Sequence, residues 1–299
     1  MGKQAGWRVY RLPACQLLVL VVSLALALAV LPARSQFRSS YATQTQAGRT
    51  GQSGQRPLGQ PIKYGGGIVY PEFRSSYGAI RWIKEQMPLK VYVSRGLTLE
   101  QFLDEEMGVP VVNVNNLAKW PDLLAEVVQN PEAMNELQVA QGFTPEHFQA
   151  ALQGISMWKP FEKEGLFSFV LTEDPSQADI HVFWVHHFVD KMGLALFSGD
   201  IRGYTAKRSF PYKAIMAGGR ADFRPVLIML RTTEANGVPM PFAKMRAAAA
   251  HEFGHALGIE GHSTNPNDLM SLYYGQGVIS ANDAATIRYL YHLTPDLIP

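Results

Sequence analysis

Cysteine is nearly absent from this chain of 299 residues, Cys15 being the only one. No disulfide can therefore form within the chain, even in a compartment that would permit one. An excess of charge is absent as well. Lys and Arg number 27 against 25 Asp and Glu, and four of the basic residues (Lys3, Arg8, Arg11, Arg34) fall in the first 35 positions, which carry no acid. The remainder holds 23 basic against 25 acidic side chains, which gives no footprint for nucleic acid or an anionic membrane surface. Long apolar runs are scarce: the main one is Leu17 to Leu31, behind a basic start and ahead of Ala33-Arg34-Ser35. Residues 1–35 read as a secretory signal cut before Gln36. An uncleaved membrane anchor over residues 12–31 is the alternative, since a span needs ~20 residues. Either reading sends the rest of the chain out of the cytoplasm, secreted, periplasmic or extracellular. Residues 36–79 are poor in large apolar groups and rich in Gln, Gly and Ser. Such a stretch cannot offset its ordering entropy and reads as a flexible linker, leaving 80–299 as the folded part. It is bracketed by a short repeat, Phe37-Arg38-Ser39-Ser40-Tyr41 and Phe73-Arg74-Ser75-Ser76-Tyr77, which carries no functional reading beyond a local duplication.

What the chain does have is His251-Glu252-Phe253-Gly254-His255, followed by Gly258 and His262. Two histidines four residues apart on a helix lie one turn above each other on one face, close enough to share a metal ion. Glu252, rotated by about 100° from His251, is badly placed as a ligand but can reach a water on the metal, which is the position of a general base. Pro241 suits the start of this helix, and Ala247 to Ala250 favour it strongly. Gly258 ends it, a glycine being free to take the left-handed backbone of a helix terminus, and so brings His262 round as the candidate third ligand. Three protein ligands leave a zinc position open, the mark of a catalytic site. A downstream glutamate ligand is excluded, because no glutamate follows Glu260. Asp268 or Asp283 as third ligand is the remaining alternative, but it leaves His262 unexplained.

These residues resemble the metzincin metalloproteases, and among them the matrixin-like branch, whose pattern is H-E-x-x-H-x-x-G-x-x-H followed by a methionine-bearing turn. The chain departs from it once: Gly261 stands where the third histidine is expected, and His262 comes one residue late. From there the register recovers. Met270 lies eight residues past His262, as in matrixins, and Tyr274 falls where they carry a tyrosine lining the main specificity pocket. Leu272 holds the place where the astacin branch has a tyrosine that approaches the metal. The resemblance implies an α+β zincin domain with a twisted mixed sheet, long helices, an active-site helix and a Met-turn. It implies Zn2+ on His251, His255 and His262, Glu252 as general base, Met270 and Gly258 as supports, and a protein or peptide as substrate. Animal relatives are held latent by a propeptide cysteine, a device that Cys15 alone does not provide. Two readings compete with the endopeptidase: a non-catalytic zinc-bound surface or adhesion module, which gives Glu252 no task, and a membrane-tethered processing factor with one dedicated protein substrate.

Along the chain, Leu89 to Val93 has strand composition. Thr98 with Gln101, Pro121-Asp122, Pro131 and Thr144-Pro145-Glu146 each open a helix, the last carrying Phe148, Leu152, Ile155 and Trp158. Residues 97–143 look like a helical insertion whose role is packing. Leu166 to Leu171, Ala178 to Val185 and Val226 to Leu230 read as strands, the Ala178-Asp179-Ile180 segment again resembling matrixin-like domains. An edge strand bordering the cleft, of the kind that pairs with an extended substrate, is expected at Leu194 to Phe197. His181, His186 and His187 raise the question of a second metal but lack the spacing of the structural zinc site of matrixins; His147 and His292 carry no signal. Ser280 to Asp283 caps a closing helix with Ile287, Leu290 and Tyr291 on its apolar face.

Overall fold

The computed structural model describes residues 61–75, 78–100, 112–113, 120–189, 201–207 and 224–298. The proposed signal or anchor, including residues 12–31, the first copy of the repeat and the expected edge strand at Leu194 to Phe197 all lie outside the described residues. Among those described, no helix is long and apolar enough to cross a membrane.

In chain order the elements are β1 (Ile62–Tyr64), β2 (Gly67–Val69), β3 (Leu89–Val93), β4 (Val112–Asn113), α1 (Trp120–Val128), α2 (Pro131–Asn135), α3 (Pro145–Ser156), α4 (Pro160–Lys163), β5 (Phe169–Leu171), β6 (Ile180–Val185), β7 (Phe188–Val189), β8 (Gly203–Ala206), β9 (Val226–Arg231), α5 (Phe242–Ala256) and α6 (Ala281–His292). A five-stranded sheet runs β5-β3-β6-β9-β8. The first four strands are parallel, and β8 lies antiparallel to β9, with Gly203 opposite Leu230 and Ala206 opposite Leu227. This is the mixed α+β architecture expected from the sequence. Among the described residues the antiparallel edge is supplied by residues 203–206.

Strand alternation divides the core in two. Ile180, Val182 and Trp184 of β6 and Val226, Ile228 and Leu230 of β9 share one core with residues of α3, α5 and α6. Phe183, Leu227 and Met229 point to the opposite face and pack with Trp120, Leu124, Val127 and Val128 of α1. The described part of the 97–143 segment thus covers the far side of a sheet buried on both faces, which is why β6 and β9 read as unbroken apolar runs.

On the near face α3 and α5 touch closely. A Cβ on Gly154 would stand 2.4 Å from the carbonyl oxygen of Arg246 and 3.0 Å from the Cβ of Ala249. The run Ala247 to Ala250, read in the sequence as a helix former, is fully buried and allows this approach. The Trp158 indole, just past the end of α3, donates to the Ala250 carbonyl at 2.8 Å.

The boundary drawn at Ile80 is corrected. Gly65 and Gly66 form the turn of the β1–β2 hairpin, both at positive φ. Val69, Tyr70 and Phe73 are buried in the main core. The amide of Ile68 donates to Asn282 Oδ1 (2.9 Å) and that of Tyr70 to Thr286 Oγ1 (3.4 Å), fastening this strap to α6. Composition missed it because three anchors and a backbone ladder suffice to hold it.

Candidate active site

The site grows from the C-terminal turns of α5. Gly258 takes φ +115° and packs flat on the Ile80 carbonyl, 2.2 Å from where a Cβ would stand, so only glycine fits this helix exit. The last carbonyls are capped from outside: Trp82 Nε1 donates to Ala256 O (2.8 Å) and Tyr291 Oη to Leu257 O (3.0 Å). His251 and His255 stand one turn apart, and the reversed chain returns His262 to them. The Nε2 atoms of His255 and His251 lie 3.1 Å apart, and those of His255 and His262 3.3 Å apart.

Two rings are oriented from behind. His251 Nδ1–H donates to the Leu269 carbonyl (2.7 Å) and His255 Nδ1–H to the Ile259 carbonyl (2.5 Å). With the proton held on Nδ1, each presents the bare Nε2 lone pair to the common point. Protonation is opposed at all three: burial and then the His262 charge push His251 down to about 3, burial followed by His251 and His262 lowers His255, and burial lowers His262. Three neutral imidazoles whose lone pairs converge, with ring nitrogens within 4.8 Å of one another, fit a divalent metal of the zinc type. They form the one such group among the described residues.

Asp268 and Asp283 are engaged elsewhere. Asp268 accepts from Ser263 Oγ (2.6 Å) and from the side-chain amides of Asn265 and Asn282. Asp283 accepts the amides of Leu269 (2.8 Å), Met270 (3.2 Å) and Ser280 (2.8 Å). It thereby fixes the turn whose Leu269 carbonyl orients His251. Met270 is fully buried beneath the helix, and a Cβ on Gly254 would stand 2.5 Å from its Sδ. Tyr274 lies beside the first histidine, its ring 4.6 Å from that of His251. Its hydroxyl accepts the Arg202 amide at 3.1 Å, and the Arg202 guanidinium sits over its ring at 4.8 Å.

Glu252 is 3% exposed, and burial pushes its carboxyl up to about 8 against the opposing hydrogen bond from Thr205. Thr205 Oγ1 lies 2.8 Å from Glu252 Oε2 and 2.9 Å from the Glu252 carbonyl. Strand β8 is thus laid directly on the carboxylate: a Cβ on Gly203 would stand 2.6 Å from Glu252 Cγ. Sequence reasoning missed Gly203 and Thr205, which join Glu252 only through the β8–β9 pairing. It read Asp283 as a helix cap or an alternative ligand, and the structure places it instead under the Leu269–Met270 turn.

The other histidines serve the fold. His181 Nε2–H donates to the Pro175 carbonyl (2.8 Å). His147 takes the Thr144 amide on Nδ1 (3.2 Å) and places Nε2 2.9 Å from the Met240 carbonyl, joining the starts of α3 and α5. His186 and His187 pack against each other with ring centres 4.4 Å apart.

Compared with known proteins, residues 138–292 match the family model described as Matrixin, a span that runs from the lead-in of α3 to the end of α6 and contains His251, Glu252, His255, His262, Met270 and Tyr274. No curated protein matches the chain.

Proposed function

Starting from the chain's membership of the matrixin family, a family of zinc metalloendopeptidases, we propose that it hydrolyses internal peptide bonds of protein substrates, with His251, His255 and His262 holding zinc and Glu252 acting as general base. One observation carries the reading: three Nε2 lone pairs converge beside a buried carboxylate that belongs to the same helix. When bound, zinc supplies a charge that polarises the scissile carbonyl and makes water acidic enough to be deprotonated near neutrality.

The remaining steps belong to this chain's side chains. Glu252, whose burial-raised pKa a dication on the three histidines would draw back down, takes the proton of the attacking water on its carboxylate and delivers it to the departing amine, serving as base and then as acid. Thr205 restrains that carboxylate, and Gly203 leaves room for it. Strand β8, the edge of the sheet among the described residues, offers its outer backbone to an extended peptide, while its inner side is taken by β9. Met270 packs as an apolar floor under the ligand helix, and Tyr274 walls the pocket beside His251.

The direct test is substitution with metal analysis. Glu252→Gln should retain zinc and lose ~100- to 10,000-fold in turnover. His262→Ala should lose zinc; full zinc content in that variant would refute the assignment of the third ligand. We also propose export, on the strength of residues 1–35, and the N-terminal sequence of protein recovered from outside the cytoplasm tests it. A start at Gln36 supports a cleaved signal, and an intact residue 1 in the membrane fraction supports an anchor.

A further inference from the structure

The loop from Leu257 to His262 is one residue longer than the family spacing, and three contacts fasten it. The amide of Glu260 donates to the Phe73 carbonyl at 3.0 Å. Gly261 lies flat against the strap, where a Cβ would stand 2.2 Å from the Glu72 carbonyl oxygen. On the other side, the Glu260 carboxylate is ion-paired with Lys207 Nζ. Lys207 follows β8 directly, and the two side chains are only 12% and 23% exposed.

An ion pair so far out of water acts differently from a surface one, because removing either partner leaves a charge that solvent screens poorly. Here the unpaired charge would sit beside the metal ligands. A bare ammonium would oppose a dication, and a Glu260 released from Lys207 would leave the loop that carries His262 untied from the edge strand. We propose that Lys207 and Glu260 are positioning residues for His262: their ion pair ties the lengthened ligand loop to the edge strand and thereby sets the metal affinity of the site. The proposal rests on the zinc reading above. It gives the inserted residue a structural partner, since the extra length carries Glu260 out to Lys207 while the strap holds the loop from behind.

The test is zinc affinity by chelator competition on the full chain, together with circular dichroism of the metal-free forms. The unaltered protein is compared with Lys207→Met, Glu260→Gln, Lys207→Arg and the charge-exchanged double variant Lys207→Glu/Glu260→Lys. Each of the two neutralising substitutions should weaken zinc binding by about 10- to 100-fold, the usual effect of losing a group that orients a ligand. Lys207→Arg and the double variant should recover most of the loss. Wild-type affinity in the neutralised variants would overturn the proposal, as would a loss that neither Lys207→Arg nor the exchange repairs, which would mark the pair as ordinary packing. An unaltered protein that binds no zinc would overturn the metal reading itself, and this pair's role with it.

Discussion

His181 is 1% exposed on β6, its Nε2–H committed to the Pro175 carbonyl and its Nδ1 without a partner among the described residues. Burial pushes it down to about 4 from an ordinary 6.5. Glu100, 7% exposed, is pushed up to about 7 from 4.5 by burial, against the donors His186 N and Thr98 Oγ1. Between pH 4 and 6.5 the unfolded chain binds a proton at position 181 that the folded one refuses, so stability from this group falls as pH falls. Between 4.5 and 7 the folded chain keeps a proton on Glu100 that the unfolded one has lost, so stability from that group falls as pH rises. Each effect is worth about 3 kcal/mol at most, and the two oppose each other between about pH 4.5 and 6.5. Relative to the unaltered protein, Glu100→Gln should gain stability as pH rises through this window, and His181→Gln should gain as pH falls through it. Urea midpoints at pH 4.5, 5.5 and 6.5 read both slopes, and slopes of the same sign would contradict the burial argument. At the same scale, Thr205→Val removes the hydroxyl that restrains Glu252. Turnover should drop about tenfold, the cost of one unmade buried hydrogen bond, with zinc content unchanged. An unchanged turnover would show that the carboxylate is held by packing alone.

Strand β8 and helix α5 meet at Gly203 and Glu252, and helices α3 and α5 meet at Gly154. Gly203→Ala places a methyl within the Glu252 side chain, so peptide cleavage should fall at least as far as in Thr205→Val while the fold persists. Gly154→Ala presses on backbone that cannot yield and should lower stability by about 1–3 kcal/mol, the usual cost of overpacking. Thermal unfolding with activity measured on the folded fraction separates the two, and interchangeable phenotypes would contradict the placement of β8 against the base. Much of this element layer was legible beforehand. Leu89 to Val93 stands as expected, β6 and β9 were recognisable as apolar β-rich runs, and the Ser280 cap falls where it was read because its Oγ accepts the Asp283 amide locally. Helix α5, with His251 and His255 one turn apart, was legible for the same reason: a four-residue spacing is a local property. What escaped was contact between distant segments. Thr205 and Glu252 are 47 positions apart, and no periodicity links them.

The strap of residues 61–75 and the loop it holds belong to the scale of the whole molecule. A chain beginning at residue 61 keeps Val69, Tyr70 and Phe73 in the core and the Phe73 carbonyl on the ligand loop, whereas one beginning at residue 80 loses all of them. The shorter chain should unfold at lower temperature and bind zinc more weakly, and equal behaviour would show that the strap is dispensable. Composition could not reveal this, because Val69, Tyr70 and Phe73 set no period of their own and the rest of the strap works through backbone hydrogen bonds and glycine contacts. The central claim is tested most directly by exposing a diverse peptide library to residues 36–299 and to the Glu252→Gln variant, with zinc measured in both. Cleavage by the unaltered protein and none by the variant, at equal zinc content, is the expected result. Zinc in both with cleavage by neither would contradict it and leave a metal-bound module without turnover on generic peptides.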